Sequence, residues 1–188
     1  MVRFQGPLDA DAFFAALSRV DDAADCFRLR FTLVDKEPRQ FLAPDPGRDF
    51  ALLDLSLGDD PETAALAETQ RLVARPFDLA RGPLHRHHLL RLGPEDHLWV
   101  RVYHHLVYDG FSGRLELNLI AASYAALVQG RPLPDLDLPG YFAACEGVEP
   151  ASASREQARA LEHWRQRLAA GGPLCAFGQQ PLAAPPGP

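Results

Sequence analysis

Tyr103-His104-His105-Leu106-Val107-Tyr108-Asp109-Gly110 sets two adjacent imidazoles at the end of an apolar, strand-like run, with an acid four residues after the second and a glycine next. Histidine is the side chain that most readily takes or gives a proton near neutral pH. An acid a few residues on can orient such a base or fix the loop that holds it. Gly110 lets the chain turn or approach something closely. The apolar segment after Phe111 has helical spacing, and a helix starting there aims free N–H groups and its positive dipole end back at the same spot. An acid–base group beside a site for developing negative charge suits acyl transfer. Three plainer readings fit the same residues. His104 and His105 can be a hydrogen-bonded pair at a strand end, the two histidines and Asp109 can be metal ligands, or Asp109 can be only a helix cap.

The flanking chain supplies elements to hold this stretch. Leu84–Leu92 and His97–His104 read as paired strands around Gly93–Asp96. His85 and His87 share one face of the first of these. With no nearby cysteine and few acids they read as sheet-face or surface residues rather than metal ligands. After the motif, Ser112–Gln129 reads as a helix with Leu115, Leu119, Ala122 and Ala126 on one face and Gly130 at its stop. Upstream, Val2–Phe4 reads as a strand and Leu8–Val20 as a helix capped by Asp9, with Phe13, Phe14 and Leu17 as core. Cys26–Val34 alternates as a strand, placing Phe27, Leu29 and Phe31 on one face and Arg28 and Arg30 on the other. Buried arginines need partners; solvated arginines on an open face are the alternative. Arg39–Leu42 is its hairpin partner across a turn at Lys36–Pro38, and Phe50–Leu55 is another short strand. Asp60-Pro61-Glu62-Thr63 starts a helix that ends near Ala74, before Pro76. Tyr141–Glu146 and Ser152–Ala170 read as helices, the second with a buried stripe of Leu161, Trp164 and Leu168. From Pro173 onward, Pro, Gly and Ala without periodicity read as a linker. Strands and helices in this order predict an α+β two-layer sandwich with a mainly antiparallel sheet.

Composition narrows the classes. The chain has 188 residues, 47% of them hydrophobic, enough for one domain with a core. A net charge of −6, a single lysine (Lys36) and no basic block exclude a nucleic-acid partner. Cys26, Cys145 and Cys175 are odd in number and too widely spaced for a metal pattern, so reduced thiols in the cytoplasm are expected. The most apolar windows are too short and too interrupted to span a membrane, and no signal peptide opens the chain.

HHLVYDG resembles the His-His-x-x-x-Asp-Gly signature of the condensation domains of nonribosomal peptide synthetases, whose wider acyltransferase superfamily shares a His-x-x-x-Asp core. FRLRF at Phe27–Phe31 resembles the family's Leu-Arg-x-Arg-Phe strand. RPFDLARGPLHRHHLLRL at Arg75–Leu92 resembles its Pro-Phe-Asp-Leu-x-x-Gly-Pro-Leu segment, and YHHLVYDGFS and LEHWRQRL follow in the family's order. The resemblance implies a chloramphenicol-acetyltransferase-like lobe, residues 1–172 being the N-terminal lobe and 173–188 a linker towards a C-terminal lobe. It further implies amide formation between a carrier-bound acyl or aryl thioester and a carrier-bound aminoacyl amine, with His105 catalytic and His104 more structural. Asp109 is implied to be a scaffold paired with Arg28 or, second, Arg30, and Gly110 with the helix start to assist the oxyanion. No cofactor or metal is expected on this lobe, since the substrates ride on the phosphopantetheine of donor and acceptor carrier proteins. The other partners implied are its own C-terminal lobe and an adjoining adenylation domain. The pattern is most similar to domains accepting an aryl starter, as in siderophore synthetases. Gly113 stands where epimerisation domains carry Trp, both histidines are kept unlike in heterocyclisation domains, and Tyr108 replaces the smaller residue common before the aspartate. A recruiting module without catalysis and a CoA-dependent acyltransferase of the same superfamily are the alternatives.

Overall fold

Two long strands, the first buried along almost its whole length, organise the molecule. In the computed structural model, which describes residues 1–146 and 155–169, β5 (His85–Gly93) and β6 (Asp96–Tyr103) form an antiparallel pair at the centre of a four-stranded sheet ordered β1-β6-β5-β4. β1 (Val2–Gln5) runs antiparallel to β6, and β4 (Phe50–Asp54) runs parallel to β5. The expected α+β class and mainly antiparallel sheet are therefore present.

Both faces of the central pair are covered. Asp9 caps α1 (Ala10–Ala23) by accepting from Ala12 N–H at 2.9 Å. From this helix Phe13, Ala16, Leu17 and Val20 meet Leu89, Trp99 and Ile120, the last carried by α3 (Gly110–Val128). On the opposite face α2 (Pro61–Ala74), capped by Asp60 with Pro61 in its first turn, packs Ala65 and Leu72 on Leu90, Leu92 and Val100. Each fully buried leucine contributes roughly 1.5–3 kcal/mol of transfer free energy. Burial on both faces explains why β5 reads as a nearly continuous run instead of a simple alternation. The C-terminal carbonyls of α2 are capped from β5: Arg86 donates to Leu72, Arg75 and Pro76 at 2.7–3.0 Å, and its guanidinium lies 3.8 Å over the Phe77 ring.

The upstream arginine strand differs from expectation. Residues Asp25–Arg28 form a 3-10 turn, and strand β2 begins only at Leu29, running to Val34 opposite β3 (Glu37–Leu42). The hairpin turns at Asp35-Lys36, both with positive φ. Arg28 and Arg30 are consequently not neighbours on one strand face. On α3 the face turned to the sheet carries Glu116, Ile120, Ser123 and Ala126, so the expected stripe is rotated by one residue and Leu115 is exposed.

Two units divide the chain, Met1–Ala144 and Cys145–Pro188. Tyr141–Cys145 is a short helix, α4, and Arg155–Ala169 is α5. Along α5 the side chains of Leu161, Trp164 and Leu168 are exposed, not a buried stripe. The expected linker 173–188, with the boundary at 172, lies outside the described residues, as does Cys175. No helix among the described residues is long and apolar enough to cross a membrane.

Candidate active site

β6 delivers the two histidines. Its ladder runs one residue past Tyr103, His104 N–H donating to Leu84 C=O at 2.9 Å, and Val107 N–H then closes a turn on His104 C=O at 3.0 Å. Val107 buries itself against Leu29 and Leu84, which leaves His105 and Leu106 on the outside of the turn.

The hydrogen bonds around the two rings separate their roles. His105 Nδ1 lies 3.0 Å from the Tyr108 carbonyl oxygen. A carbonyl only accepts, so Nδ1 carries the proton and the Nε2 lone pair of a neutral ring stays available. His104 is the reverse: its Nδ1 accepts from Leu106 N–H at 3.1 Å, so in the neutral ring Nε2 bears the hydrogen. His104 also packs edge-on against Phe77, with centroids 6.0 Å apart. His105 is thus exposed and base-competent, whereas His104 is half-buried and braced. His104, His105 and Asp109 do not converge as metal ligands among the described residues; each makes its own local bonds.

Asp109 is the N-cap of α3. One of its carboxylate oxygens accepts from Ser112 N–H and from Ser112 Oγ–H, both at 2.8 Å, and Ser112 Oγ in turn accepts from Asp109 N–H at 3.3 Å. The backbone bond from Ser112, then its hydroxyl, hold this carboxyl below the usual aspartate range; the nearby His105 adds a smaller effect. The expected ion pair to Asp109 is absent. Arg28 pairs with Asp25, its neighbour in the 3-10 turn. Arg30 is 2% exposed and donates to the carbonyls of Phe27, Leu29, Pro46 and Arg81 at 2.5–3.0 Å. The physical reason is local: the 3-10 turn folds Arg28 back onto the acid of Asp25, and Arg30, on β2, directs its donors at backbone oxygens. A Cβ at Gly110 would meet nothing within 4 Å, so the backbone at the helix start lies open.

Replacing the Asp109 cap should tell anchoring from chemistry. Asp109→Ala should lower the urea midpoint of the chain and Asp109→Asn should restore most of it, because asparagine caps as well as aspartate does. A midpoint unchanged in Asp109→Ala would show that the cap does not hold the helix start.

Beneath the motif lies a buried polar cluster only half legible in the sequence. His85, His87, Arg101 and Tyr103 share the sheet face that meets α1 and α3, and His85 and His87 are fully buried instead of at the surface. His85 Nε2 lies 2.7 Å from Asp21 of α1. Burial raises the Asp21 carboxyl, opposed by that bond. The atoms of Asp21, His85 and His87 come within 4.8 Å of one another, a spacing that could hold a metal ion. The indole N–H of Trp99, which can only donate, points at His87 Nδ1 at 3.2 Å. Nδ1 is therefore the acceptor and Nε2 carries the hydrogen, which leaves His87 no lone pair for a metal. Burial holds His87 neutral, well below the usual range. Glu116, 4% exposed on α3, receives Arg101 at 2.8 Å, the Tyr103 hydroxyl at 2.7 Å and the Tyr108 hydroxyl at 2.5 Å. Sequence reasoning passed over Glu116; the available signal was that it is the one acid of α3. A cleft of about 230 Å³, lined mainly by Phe27, Tyr108, Leu115, Leu119 and Tyr141 with Glu116 at its wall, adjoins the motif. Cys26 also lines it, its thiol pushed up to about 11 by burial.

The structure thus sets an exposed imidazole, with Nδ1 held by a backbone carbonyl, in the turn that leads into the N-terminus of α3 on an α+β scaffold. The chain belongs to the condensation-domain family of nonribosomal peptide synthetases: the family's profile, described as Condensation domain, matches residues 1–184. It is 34% identical over 191 residues to an isonitrile lipopeptide synthase of Streptomyces coeruleorubidus, covering 99% of this chain and 12% of that protein. To a dimodular nonribosomal peptide synthase of Bacillus subtilis it is 28% identical over 168 residues, covering 89% of this chain and 7% of that one. Among solved structures, a mutant starter condensation domain of rhizomide synthetase RzmA in complex with C8-CoA and Leu-SNAC superposes with a TM-score of 0.82. The identity there is 28%, covering 95% of this chain and 41% of that one. The first condensation domain of the calcium-dependent antibiotic synthetase, in complex with a substrate analogue, gives 0.77 at 28% identity, covering 89% and 41%. The fold is that of the N-terminal, motif-bearing lobe of such a domain. The chain spans about two fifths of those domains and a small fraction of the synthetases.

Proposed function

We propose that this lobe serves amide-bond formation between an acyl or aryl thioester on a donor carrier protein and the amine of an aminoacyl group on an acceptor carrier. The observation that carries the reading is the bond from His105 Nδ1 to the Tyr108 carbonyl, which leaves Nε2 as an outward-facing acceptor beside the α3 N-terminus. The amine nitrogen attacks the thioester carbonyl, its proton passes to His105 Nε2, and collapse of the adduct breaks the C–S bond. The proton then returns to the departing thiolate. Asp109 takes the N–H of Ser112, so the part of the α3 start that suits the oxyanion of the adduct is the N–H of Gly110. His104 holds the turn, Asp109 holds the helix start, and Arg28 and Arg30 support the frame beneath them.

The lobe itself binds no cofactor in this reading; both substrates arrive on phosphopantetheine arms. Its partners are the two carriers, a C-terminal lobe completing the reaction channel, and an adjoining adenylation domain, all in the cytoplasm and without nucleic acid or membrane. The apolar cleft beside the motif and the likeness to starter domains favour an acyl or aryl starter as donor, siderophore assembly being one such setting.

Full-length synthetase supplied with a loaded donor carrier and a loaded acceptor carrier should yield an amide on the acceptor arm, read by mass spectrometry. Acyl transfer from acyl-CoA to an acceptor with no carrier present would instead make it a CoA-dependent acyltransferase. Absence of any transfer would make the lobe a recruiting module. The isolated 188 residues should turn over poorly, half of the channel being absent.

A further inference from the structure

The tautomer of His105 depends on one carbonyl, so whatever fixes Tyr108 fixes the base. Tyr108 sits in an outward turn whose only buried side chain is Val107. Its own ring folds back under the motif and stacks on Tyr103, with centroids 3.7 Å apart and planes 2° from parallel. Its hydroxyl donates to Glu116 at 2.5 Å and is contacted by Arg101. Glu116 is held on its other sides by Arg101 at 2.8 Å and by Tyr103 at 2.7 Å. His87 Nε2 faces it across 3.8 Å. Burial raises the Glu116 carboxyl and Arg101 opposes this most. Gly113 completes the arrangement: a Cβ there would come within 3.3 Å of the Tyr108 hydroxyl, so glycine admits the phenol.

From this geometry, and resting on the catalytic role proposed for His105, we infer that Glu116 and Tyr108 are positioning residues that lock His105 in its Nδ1–H tautomer. The path is short and contiguous. Glu116 lies two turns into α3, on the face turned to the sheet, and holds the phenol of Tyr108. That side chain anchors the residue's own carbonyl, and the carbonyl holds Nδ1–H of His105. Both residues line the cleft, but the lock acts through the turn and not through contact with substrate. Without this anchor the turn keeps Val107 and the His104 bonds, and the peptide that carries the Tyr108 carbonyl is held at its other end by the 3.3 Å bond from Asp109 N–H to Ser112 Oγ, so the carbonyl aims less tightly at the ring. A neutral imidazole free of a partner then exchanges its proton between both nitrogens, and part of the population offers Nε2–H, which cannot accept the amine proton.

Two variants test the lock. Tyr108→Phe keeps the stacked ring and removes only the hydroxyl; Glu116→Gln keeps the shape and removes the charge that Arg101 and both phenols share. The tautomer of His105 is read by two-bond proton–nitrogen correlation on the histidine-labelled chain, and kcat and KM on the full-length protein with loaded carriers. Expected are a largely Nδ1–H ring in the parent, a mixed population in both variants, and kcat lower by about 10- to 100-fold, the range typical of a misplaced catalytic group. Both residues line the cleft, so the ring's tautomer together with kcat, and not KM, is the deciding readout. Should Glu116→Gln not fold, Tyr108→Phe alone decides. In folded Tyr108→Phe, either a tautomer or a kcat at the parent's value overturns the assignment. Failure of the catalytic reading looks different: His105→Ala would keep the parent's rate.

Discussion

His105→Ala in the full-length synthetase should slow amide formation by about 10²–10⁴-fold, the range a positioned acid–base group supplies. The side chain is exposed and is held by a bond from Nδ1 to the Tyr108 carbonyl, so folding should be little affected and the loss should fall on turnover. His104→Ala should behave otherwise. Its ring accepts Leu106 N–H and packs on Phe77, so the variant should lose thermal stability together with activity. Single-turnover kinetics with loaded carriers, beside thermal melts, distinguish the two. Equal single-turnover rates for parent and His105→Ala would take this imidazole out of the mechanism.

Arg30→Ala should produce the largest loss of stability, about 3–5 kcal/mol, reckoned from buried acceptors that each cost about 1–3 kcal/mol when left unpaired, some of them reached by water. The guanidinium ties together Phe27 and Leu29 at the start of β2, Pro46 in the connection to β4 and Arg81 in the loop before β5. Gly82, at φ +63°, lies so close that the guanidinium occupies the space where a Cβ would stand. Lysine has three donors on one point and no planar fork, so Arg30→Lys should recover only part of the loss. Urea unfolding of the 188-residue chain measures both. A loss below about 1 kcal/mol for Arg30→Ala would mean that solvent replaces the clamp, as at an exposed site.

The arginine pair shows why one part of the site was unreadable. An alternating pattern at Cys26–Val34 reads as a strand throughout, and a strand puts Arg28 and Arg30 side by side. Leu29 is buried on either reading, so burial of the apolar residues cannot reveal the 3-10 turn. What starts the strand late is long-range. Phe31 N–H bonds Leu79 C=O at 2.9 Å and Ala43 N–H bonds Arg28 C=O at 2.8 Å, contacts between segments far apart in sequence. The rotated face of α3 has a similar cause. By hydrophobicity Leu115 belongs inside and Glu116 outside. The reverse holds because Arg101 and two tyrosine hydroxyls, all from β6 and its turn, satisfy a carboxylate that alone could not be buried.

Local chemistry legible in the chain determined much by itself. Periodicity placed the strands of the central pair, the aspartates at 9 and 60 marked the helix starts, and His-His-x-x-x-Asp-Gly marked the family to which the chain belongs. Those features depend on residues within a turn or two of each other, where propensity and capping act. Tertiary structure alone decided that Arg30 spends its donors on backbone carbonyls and not on Asp109, that His85 and His87 lie in the core, and that Glu116 stands beneath the turn of the motif. Each of these outcomes depends on which donors and acceptors the fold brings within about 3 Å, and hydrogen-bond partners distant in sequence leave no periodic trace.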